Sequence, residues 1–474
     1  MKRRIVLLLV LLLVVTNSLT YFGTRDHYQQ ETAGEPPADN SRDLAEIEVE
    51  LQPLVEVLDI LSERFLEDVS REELINEAIN GMVNSLEDPQ TNFLDPTNYE
   101  EMMIKIDGSF SGIGIEISEV DGYITVVSPI KNTPGEQAGL QPGDRIVAID
   151  GEDAVGISTT DAVKLMRGQE GTTVNLKVER ENLTEPLEFV ITRANIVVPS
   201  VFTELLSDKI GYIQITTFDE HTGRDFQEAM LALETQGMRG LLLDLRNNPG
   251  GLLDQAVLVG QEILPAGPIT HMVDREGTVL QTYQSYGTKK TYPIVALVNG
   301  ASASASEIIA GALQDTAAGT LVGTKTYGKA TVQHLESLSN QAGLRYTVAK
   351  YQTPKGRDIH GNGLVPDVIV ELSDDYYLLQ YGMIGDLALS DEGTNVLFLQ
   401  KMLAALNYAV QETSKFDGET EKAVRSFQSK YGLEVNGKVN QATREKLNEQ
   451  LEPRLEELDV QKKKALEILT KAMQ

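Results

Sequence analysis

The 474-residue sequence contains no cysteine. Catalysis by a thiol, metal sites built from thiolates and disulfide bonds are therefore excluded. Histidine is scarce as well, with five residues in the chain, and no group of His and Glu has the spacing of a metal site. We expect neither a metal ion nor an organic cofactor.

Positive charge is also in short supply. Lys and Arg number 41 against 71 Asp and Glu, which leaves a formal net charge of −30. The phosphate backbone of a nucleic acid would be repelled by such a protein, so we do not expect nucleic acid as a partner. A chain of 474 residues is too long for one ordinary core, and two to four domains are expected.

The first 23 residues carry a targeting pattern. Three basic residues at positions 2–4 precede a run from Ile5 to Val15 that contains only Ile, Val and Leu. Residues 1–23 are therefore predicted to be either a signal peptide or an uncleaved membrane anchor. In both cases the basic end stays in the cytoplasm and the rest lies outside it. Residues 24–43 are polar and are predicted to be a disordered linker.

Residues 44–105 are predicted to form an N-terminal helical region. Apolar residues recur at helical spacing from Leu44 to Phe65 and again from about Arg71 to Leu86. This helical pair packs either on a neighbouring domain or on a second subunit. A homodimer is the expectation that follows from the second alternative.

Residues 106–194 are richer in strand patterns, and the segment AGLQPGDRIVAIDG within them resembles the signature of PDZ domains. In such domains backbone N–H groups of a loop bind a peptide C-terminus, while the neighbouring strand edge pairs with the peptide. The resemblance assigns this loop to Gly112, Ile113, Gly114 and Ile115. A dinucleotide site is a poor fit, because no third glycine opens a helix. The alternative is a PDZ-type module that only packs against its neighbours.

Arg167 follows the amphipathic helix predicted in TTDAVKLMRG, inside the PDZ-like segment. An arginine there could report peptide binding by contacting the next domain, which would make it a regulatory residue. The alternative is a solvated surface arginine.

Residues 195–373 alternate between strand and helix patterns, which predicts an α/β domain. Leu241 to Leu245 is apolar apart from Asp244, as expected for a strand that is covered on both faces. The turn NNPGG at positions 247–251 follows and leads into a helix from Asp254. Backbone N–H groups of glycines at a helix start are suitable donors to an oxyanion.

A second strand-to-helix turn in this domain carries three serines. The apolar run Ile294–Val298 is followed by Ser302, Ser304 and Ser306, and a helical pattern begins at Glu307. A hydroxyl beside the positive end of a helix is well placed to be a nucleophile. Serines at helix starts are more often caps, and Ser306 followed by Glu307 fits that role.

A serine hydroxyl needs a base that takes its proton. His334 follows Gln333 in a strand-like run, so alternation sends these two side chains to opposite faces. A lysine can act instead when burial keeps it neutral. Lys325 and Lys329 are both near in sequence. If the segment 328–333 is extended, Lys329 and Gln333 share a face and the Gln333 side-chain oxygen can hold the amine, which favours Lys329.

Residues 386–450 resemble the peptidoglycan-binding module, with three short helices separated by glycine-containing turns. The landmarks present are Leu399, Gln400, Leu403, Phe416, Asp417, Thr420, Ala423, Val424, Phe427, Gln428, Gly432, Leu433, Gly437 and Val439. Most of these residues form cores, so the match predicts the fold more than it predicts wall binding. Residues 451–474 are predicted to form a lysine-rich amphipathic helix that packs on a partner or on the N-terminal helices.

The stretches LVNGASASASEIIAGALQD and GTKTYGKATVQ together resemble the C-terminal processing (tail-specific) proteases. The resemblance runs from about Ile47 to Leu372 and includes ELINEAINGMVNSLEDPQTNFLDP, the PDZ-like segment and LRNNPGG. It implies a serine endopeptidase with a Ser/Lys dyad and a crotonase-like α/β core within a multidomain α/β chain. The wall-binding-like module indicates the Gram-positive branch of the family.

The family pattern assigns the nucleophile, the base and its orienting partner to Ser304, Lys329 and Gln333, and the oxyanion N–H groups to Ala305 and to Gly250 or Gly251. Departures from the pattern are small, since Ala330 stands where glycine is common and Ala301 precedes the serines. Neither change removes a reacting group.

The resemblance therefore implies an exported endopeptidase that binds protein C-termini and cleaves the tail, in sporulation or in envelope signalling. Proteins with exposed C-termini are the expected substrates, and peptidoglycan is a candidate partner. The alternative from another class is a non-catalytic, wall-associated PDZ adaptor. The joint presence of Ser304, Lys329 and Gln333 argues against it, because a binding protein does not need the reacting set.

Overall fold

The computed structural model describes residues 44–120, 122–180, 183–381 and 385–474. The predicted targeting segment and linker, residues 1–43, lie outside the described residues. Within the described ranges, no helix is both long enough and apolar enough to cross a membrane. The chain divides into two units, Met1–Ser85 and Leu86–Gln474.

In its described part, residues 44–85, the first unit contains two helices, α1 (Leu44–Arg64) and α2 (Arg71–Asn84). Both lie where the apolar spacing predicts them. The hydroxyl of Ser70 caps α2 by accepting a hydrogen bond from the N–H of Glu73. Several apolar side chains that recur at helical spacing in this segment are about half exposed, namely Leu51, Leu54 and Val55 on α1 and Phe65 just after it.

The second unit begins with a short strand and a helix and then forms a β-domain. Its elements are β1 (Asn92–Leu94), α3 (Pro96–Asp107), β2 (Ser109–Gly112), β3 (Ile115–Val120), β4 (Tyr123–Pro129), α4 (Pro134–Ala138), β5 (Arg145–Ile149), β6 (Glu152–Asp153), α5 (Thr159–Met166), β7 (Thr173–Glu179), β8 (Leu187–Thr192) and β9 (Ala194–Val197). The antiparallel sheet has the order β3-β4-β5-β7-β8, so β3 lies at its edge. A separate ribbon of β2 and β9 joins the domain to the rest of the unit.

A residue of the PDZ-like signature, Asp144, stabilises the fold of this domain. Asp144 is fully buried and accepts hydrogen bonds from the Arg180 guanidinium, with Nε 2.7 Å from Oδ1. Burying an unpaired carboxylate would be costly, and this ion pair removes most of that cost. The strand β7 alternates exposed and buried residues, so Val174, Leu176 and Val178 face the core.

The α/β domain is built on a second sheet with the order β10-β11-β12-β15-β16-β19. All of its neighbouring strands are parallel except β10 and β11. Its elements are β10 (Val201–Leu205), β11 (Ile210–Ile215), α6 (Thr222–Thr235), β12 (Gly240–Asp244), α7 (Leu253–Ile263), β15 (Ile294–Val298), α8 (Ala305–Asp315), β16 (Thr320–Gly323) and β19 (Val368–Ile369). The predicted turns at 247–251 and 299–304 both follow carboxyl ends of parallel strands, so they meet at one edge of the sheet.

The structure contains a further sheet, antiparallel and five-stranded, that the sequence did not predict. It consists of β1, β13 (Gly267–Val273), β14 (Val279–Ser285), β17 (Thr331–Ser337) and β18 (Gly343–Gln352). The long strand β18 pairs with β1 and β13 on successive parts of its length, and it also pairs with β17. This arrangement brings the segment before β1 close to the segment after Lys329.

The C-terminal module contains α9 (Asp374–Tyr381), α10 (Thr394–Ala405), α11 (Gly418–Lys430) and α12 (Gln441–Leu458). Most of the predicted landmark residues are buried in its core, including Leu399, Val424 and Phe427. Even the amides of Gln400 and Gln428 are fully buried and bind loop carbonyls of Lys415 and Lys438. These landmarks therefore stabilise the fold, as the sequence predicted. The helix α12 runs across the expected boundary at residues 450 and 451.

The last helix, α13 (Val460–Ala472), lies against the second face of the parallel sheet. Ala465 and Leu469 pack there against Leu242, Val295 and Leu297 of β12 and β15. The sequence assigned this helix to a partner or to the N-terminal helices, and that assignment is wrong. A sheet with two apolar faces needs helices on both sides, and α13 supplies the second cover.

Candidate active site

Ser304 is the residue that immediately precedes α8, at the N-cap position. Its backbone has φ 53° and ψ −116°, a conformation that costs a non-glycine residue roughly 1–3 kcal/mol. Hydrogen bonds hold the turn on both sides. The Ser304 N–H donates to Glu307 Oε2 at 3.0 Å, and the Ser304 carbonyl accepts from the Tyr351 hydroxyl at 3.0 Å. The serine is thus fixed at the positive end of a helix.

The two flanking serines have structural contacts. Ser302 is fully buried, and its hydroxyl donates to the Leu245 carbonyl at 2.7 Å. Ser306 is also fully buried, and its hydroxyl donates to the Asn248 carbonyl at 3.0 Å. The expectation that Ser306 caps the helix is wrong, because the helix begins at Ala305, two residues before Glu307, and Ser304 takes the N-cap position. The Ser306 hydroxyl holds the neighbouring turn instead.

The glycine turn lies directly beside Ser304. A Cβ placed on Gly250 would be 2.7 Å from Ser304 Cβ and 3.0 Å from the Ala305 nitrogen, so only glycine fits there. The Ala305 N–H is the first of its helix and has no intrahelical partner. The predicted oxyanion residues Ala305 and Gly250 are therefore neighbours in space.

The two glycines differ in what their N–H groups do. The Gly250 N–H donates to the Asn248 side chain at 2.8 Å. The Gly250 carbonyl accepts from the Phe218 N–H at 2.9 Å. Because a trans peptide directs its N–H opposite to its carbonyl, the Gly251 N–H points away from Phe218. Of the two, Gly251 has the N–H less committed to the protein.

Glu307 joins the serine turn to the lysine segment. Its side chain is fully buried, and Oε2 accepts from the N–H groups of Ser304 and Lys329, at 3.0 and 2.9 Å. Oε1 accepts from the Gly328 N–H at 2.8 Å and from the Thr326 hydroxyl at 2.5 Å. Burial raises the pKa of this carboxyl, and the four hydrogen bonds oppose the rise.

Tyr351 makes a second connection between the same two segments. Its side chain is 2% exposed, and its hydroxyl lies 2.6 Å from the Lys329 carbonyl and 3.0 Å from the Ser304 carbonyl. Burial raises the pKa of Tyr351, which keeps the hydroxyl protonated as a donor. Ser304 and Lys329 are thus held together by their backbones. Within the described residues, no hydrogen bond links the Ser304 hydroxyl to the Lys329 amine.

The environment of Lys329 favours its neutral form. Burial lowers the pKa of the half-buried amine, and the positive charge of Arg345 lowers it further. The negative charges of Asp88 and Glu307 act in the opposite direction. The net pKa is below that of a solvated lysine, which is the condition for a lysine to act as a general base.

Gln333 lies on β17 directly opposite Thr347 of β18. Its amide nitrogen donates to the Thr347 hydroxyl oxygen at 3.4 Å. The Thr347 hydroxyl in turn donates to Asp88 Oδ2 at 2.6 Å. A polar chain therefore runs from Gln333 to the loop before β1.

The rival bases are exposed. His334 is paired with Glu336 at 3.1 Å and lies edge-on against Tyr346, which is consistent with the alternation predicted for β17. Lys325 is exposed to solvent. Of the candidate bases, Lys329 is the one that is partly buried and tied to the serine turn.

The PDZ-like loop has a geometry suited to binding an anion. The carbonyls of Ile113 and Gly114 accept from Gly135 and Ile130 N–H groups inside the domain, at 2.7 and 2.9 Å. The following N–H groups, of Gly114 and Ile115, are therefore directed outward. Gly114 has φ +72°, and a Cβ there would lie 2.4 Å from Thr133. The adjacent strand β3 has one edge unpaired among the described strands.

Arg167 lies at the end of α5 and is half-buried. Its guanidinium lies 5.1 Å from the ring centroid of Phe110, a residue of the connecting strand β2. The contact is with the ribbon that leads to Gly112. A regulatory role for Arg167 stays a prediction.

Sequence reasoning did not identify Asp88, Arg345 and Tyr351 as parts of this region. Asp88 belongs to a stretch that carries the family resemblance, LEDPQTNFLDP, but the resemblance as stated assigns it no role. The two β18 residues carried no local signal, because their position depends on strand pairing between distant segments. No group of acidic residues or histidines that could hold a metal ion occurs in the described ranges.

Comparison with known proteins extends these observations. Residues 209–370 match Peptidase family S41, residues 125–180 a PDZ domain and residues 392–447 a putative peptidoglycan binding domain. Residues 13–97 match the N-terminal domain described for the activating protease CtpB.

Curated relatives are similar over most of the chain. The carboxy-terminal processing protease CtpA of Bacillus subtilis (strain 168) is 37% identical over 403 residues, which cover 85% of this chain and 86% of the relative. CtpB of the same organism is 33% identical over 91% of this chain and 90% of its own. Among solved structures, a photosystem II D1 C-terminal processing protease is 31% identical with a TM-score of 0.40, covering 68% of this chain and 88% of that one. With such identity over nearly the full length of CtpA and CtpB, this chain belongs to the carboxy-terminal processing serine proteases of peptidase family S41.

Proposed function

We propose that this protein is an exported endopeptidase that takes protein C-termini in its PDZ domain and cleaves the tail with a Ser304–Lys329 dyad. The observation that carries the proposal is the double connection through Glu307 and Tyr351. Both residues bind the backbone of Ser304 and of Lys329, so the strained serine and the partly buried lysine form one preorganised unit. An adaptor without catalytic activity would gain nothing from this strain.

The reaction that follows from this arrangement is acyl transfer. The Ser304 oxygen forms a bond to the scissile carbonyl carbon while its proton passes to the neutral Lys329 amine. Lys329 then protonates the leaving nitrogen as the C–N bond breaks, which leaves an ester on Ser304. Water, deprotonated by Lys329, attacks the ester and releases the new carboxyl terminus. The serine regains its proton from Lys329.

The oxyanion of each tetrahedral intermediate would be stabilised by backbone N–H groups. Ala305 supplies one of them from the first turn of its helix. The second comes from the glycine turn, where Gly251 is the better candidate because the Gly250 N–H already donates to Asn248. Gln333 would hold the lysine amine in position.

The PDZ domain has two roles in this proposal, which are delivery of the tail and control of access to the site. The outward N–H groups of Gly114 and Ile115 would bind the terminal carboxylate, and the free edge of β3 would pair with the tail. Through its contact with Phe110, Arg167 would transmit the binding of a peptide at this loop to the ribbon of β2 and β9.

A free terminal carboxylate should therefore be required for efficient cleavage. Amidation of the C-terminus removes the hydrogen bonds to the charged carboxylate. We therefore expect an amidated substrate protein with an apolar tail to have a KM about tenfold to a hundredfold higher than the same protein with a free C-terminus. The measurement is steady-state cleavage of the matched pair, followed by mass spectrometry. Equal KM values for the two substrates would rule out recognition of the C-terminus.

The location that fits these parts is outside the cytoplasm. A peptidoglycan-binding type domain and a basic, apolar N-terminus both favour an envelope protein. We propose that residues 1–23 direct export, either as a cleaved signal or as an anchor, and that the C-terminal module contacts the wall. Processing of envelope or sporulation proteins is the physiological role that fits this location.

A homodimer formed through the N-terminal helices is the oligomeric state we propose. Leu51 and Leu54 on α1 are about half exposed, and apolar surface of this kind is typical of an interface. Light scattering of the protein should give the mass of two chains, and the double variant Leu51→Glu, Leu54→Glu should give the mass of one. The conservative variant Glu63→Gln on the same helix should remain dimeric. A monomeric mass for the unmodified protein would contradict this prediction.

A further inference from the structure

The chain of polar contacts beside Lys329 ends on an acidic residue that has no role in the reaction as described. Asp88 lies in the loop before β1 and is half-buried. Its Oδ2 accepts from the hydroxyls of Thr347 and Thr91, at 2.6 and 2.7 Å, and its Oδ1 accepts from the Gln90 N–H at 3.0 Å. Burial tends to raise the pKa of Asp88, but these hydrogen bonds outweigh it and the pKa is lowered. Asp88 is therefore a carboxylate that only accepts hydrogen bonds.

The state of Asp88 determines the direction of the next contact. A threonine hydroxyl has a single proton, and Thr347 donates it to Asp88. The Thr347 oxygen can then only accept from its other neighbour, the Gln333 amide. Since only the amide nitrogen carries protons, Gln333 must present its nitrogen to Thr347, in agreement with the contact at 3.4 Å. The Gln333 carbonyl oxygen then points away from Thr347 and is available as an acceptor.

This direction matters because an amide can be reversed by a half-turn. The extended spacing predicts that Gln333 and Lys329 share a face, so one orientation of Gln333 would offer Lys329 an acceptor and the other would offer it a donor. Only an acceptor can hold the ammonium that forms when Lys329 takes the serine proton, and an acceptor also leaves the lone pair of the neutral amine free to receive that proton. Thr347 is itself held in place, because its backbone N–H donates to the Thr91 hydroxyl at 3.2 Å.

We propose that Asp88 is a positioning residue for the base, acting through Thr347 to orient the Gln333 amide so that its oxygen serves Lys329. The inference rests on the proposed Ser304–Lys329 mechanism. It adds a residue from the loop before β1 to the machinery, although that loop contributes no reacting atom.

The first test removes the connecting hydroxyl. Thr347→Val keeps the β-branched shape that suits β18 but frees the Gln333 amide. We expect kcat on a tail substrate to fall about tenfold to a hundredfold with KM unchanged, as for a misplaced catalytic group. Thr347→Ser, which retains the hydroxyl, should restore most of the rate. Thr331→Val is the matched control, because the Thr331 hydroxyl is buried on the same sheet without a hydrogen-bond partner in the described chain, and it should leave kcat unchanged.

A double-mutant cycle separates this relay from a general structural effect. If Thr347 acts through Gln333, then Thr347→Val should have no further effect on kcat in a Gln333→Ala background. Equal losses in both backgrounds would overturn the relay, while the dyad would still stand if Ser304→Ala is inactive. Full activity of Ser304→Ala would instead overturn the dyad itself, so the two failures are distinguishable.

Asp88→Leu, which removes the hydrogen-bond acceptor together with the charge, tests the origin of the relay and separates orientation from charge. The charged or titratable groups around Lys329 are Arg345 and Tyr351 on β18, Glu307 on α8, Asp88, and His360, whose ring accepts from the Ala330 N–H. The rate should rise with pH as Lys329 loses its proton. Because the negative charge of Asp88 raises the pKa of Lys329, removing that charge should move this rise to lower pH. The relay predicts in addition that the plateau value of kcat falls at least tenfold. A shifted rise with an unchanged plateau would mean that Asp88 acts only by its charge, and would overturn the proposal.

Discussion

Ser304→Ala should abolish cleavage of a tail substrate, with kcat reduced by about 10⁶-fold, the loss expected when a serine protease loses its nucleophile. The fold should be unaffected. The contacts that hold this turn, to Glu307 and Tyr351, involve the Ser304 backbone, and alanine keeps both. Cleavage assays together with thermal unfolding measure the two quantities. A fluorophosphonate should label the unmodified protein on Ser304 and should not label the variant.

Ser302→Ala provides the matched control for this experiment. The Ser302 hydroxyl is buried against the Leu245 carbonyl, so its loss should lower the free energy of unfolding by about 1–3 kcal/mol. The variant should nevertheless cleave the substrate and accept the label. If Ser304→Ala retained activity, or if the label were found on Ser302, the assignment of the nucleophile would be wrong.

Lys329→Ala should lower kcat by roughly 10³-fold or more, because the general base is removed. Lys329→Arg should be nearly as inactive, since a guanidinium stays protonated and cannot take a proton. The control is Lys325→Ala, which removes an exposed lysine four positions away and should retain full activity. Single-turnover cleavage assays measure these differences. Activity that survives Lys329→Ala and is lost in Lys325→Ala would reverse the choice of lysine.

The pH dependence follows from the environment of Lys329. The amine must be neutral to accept the serine proton, so kcat/KM should rise with pH through the pKa of Lys329. Burial and the charge of Arg345 lower this pKa, so the rise should occur below the range of a solvated lysine. Arg345→Gln removes the positive charge and should move the rise to higher pH. A rise near the range of histidine that disappears in His334→Ala would show that His334 is the base.

The local patterns of the α/β domain were sufficient to predict most of its elements. The helix α7 begins at Leu253, one residue before the predicted start at Asp254. The strand at 241–245 is buried on both faces, as its continuous apolar run indicates. These elements are predictable because the pattern of a helix or a buried strand can be recognised within a short stretch of consecutive residues.

Other features could not be obtained in this way. The antiparallel sheet that contains β17 and β18 depends on pairing between segments far apart in the chain, and each of its strands alone has only a weak pattern. Glu307 was interpreted as the start of a helix, whereas it is the acceptor that joins Ser304 to Lys329. The final helix has an amphipathic pattern that requires a partner, but the pattern does not say which apolar surface that partner offers.

The sequence by itself determined the class of this protein. The absence of cysteine excluded thiol catalysis and thiolate metal sites, and the motifs around Ser304 and Lys329 indicated the family to which the chain belongs. The tertiary structure alone decided how the candidate base is supported. Asp88, Thr347 and Gln333 meet because β1 and β17 both pair with β18, and the direction of hydrogen bonds in such a chain depends on which groups carry protons, a property of the assembled contacts.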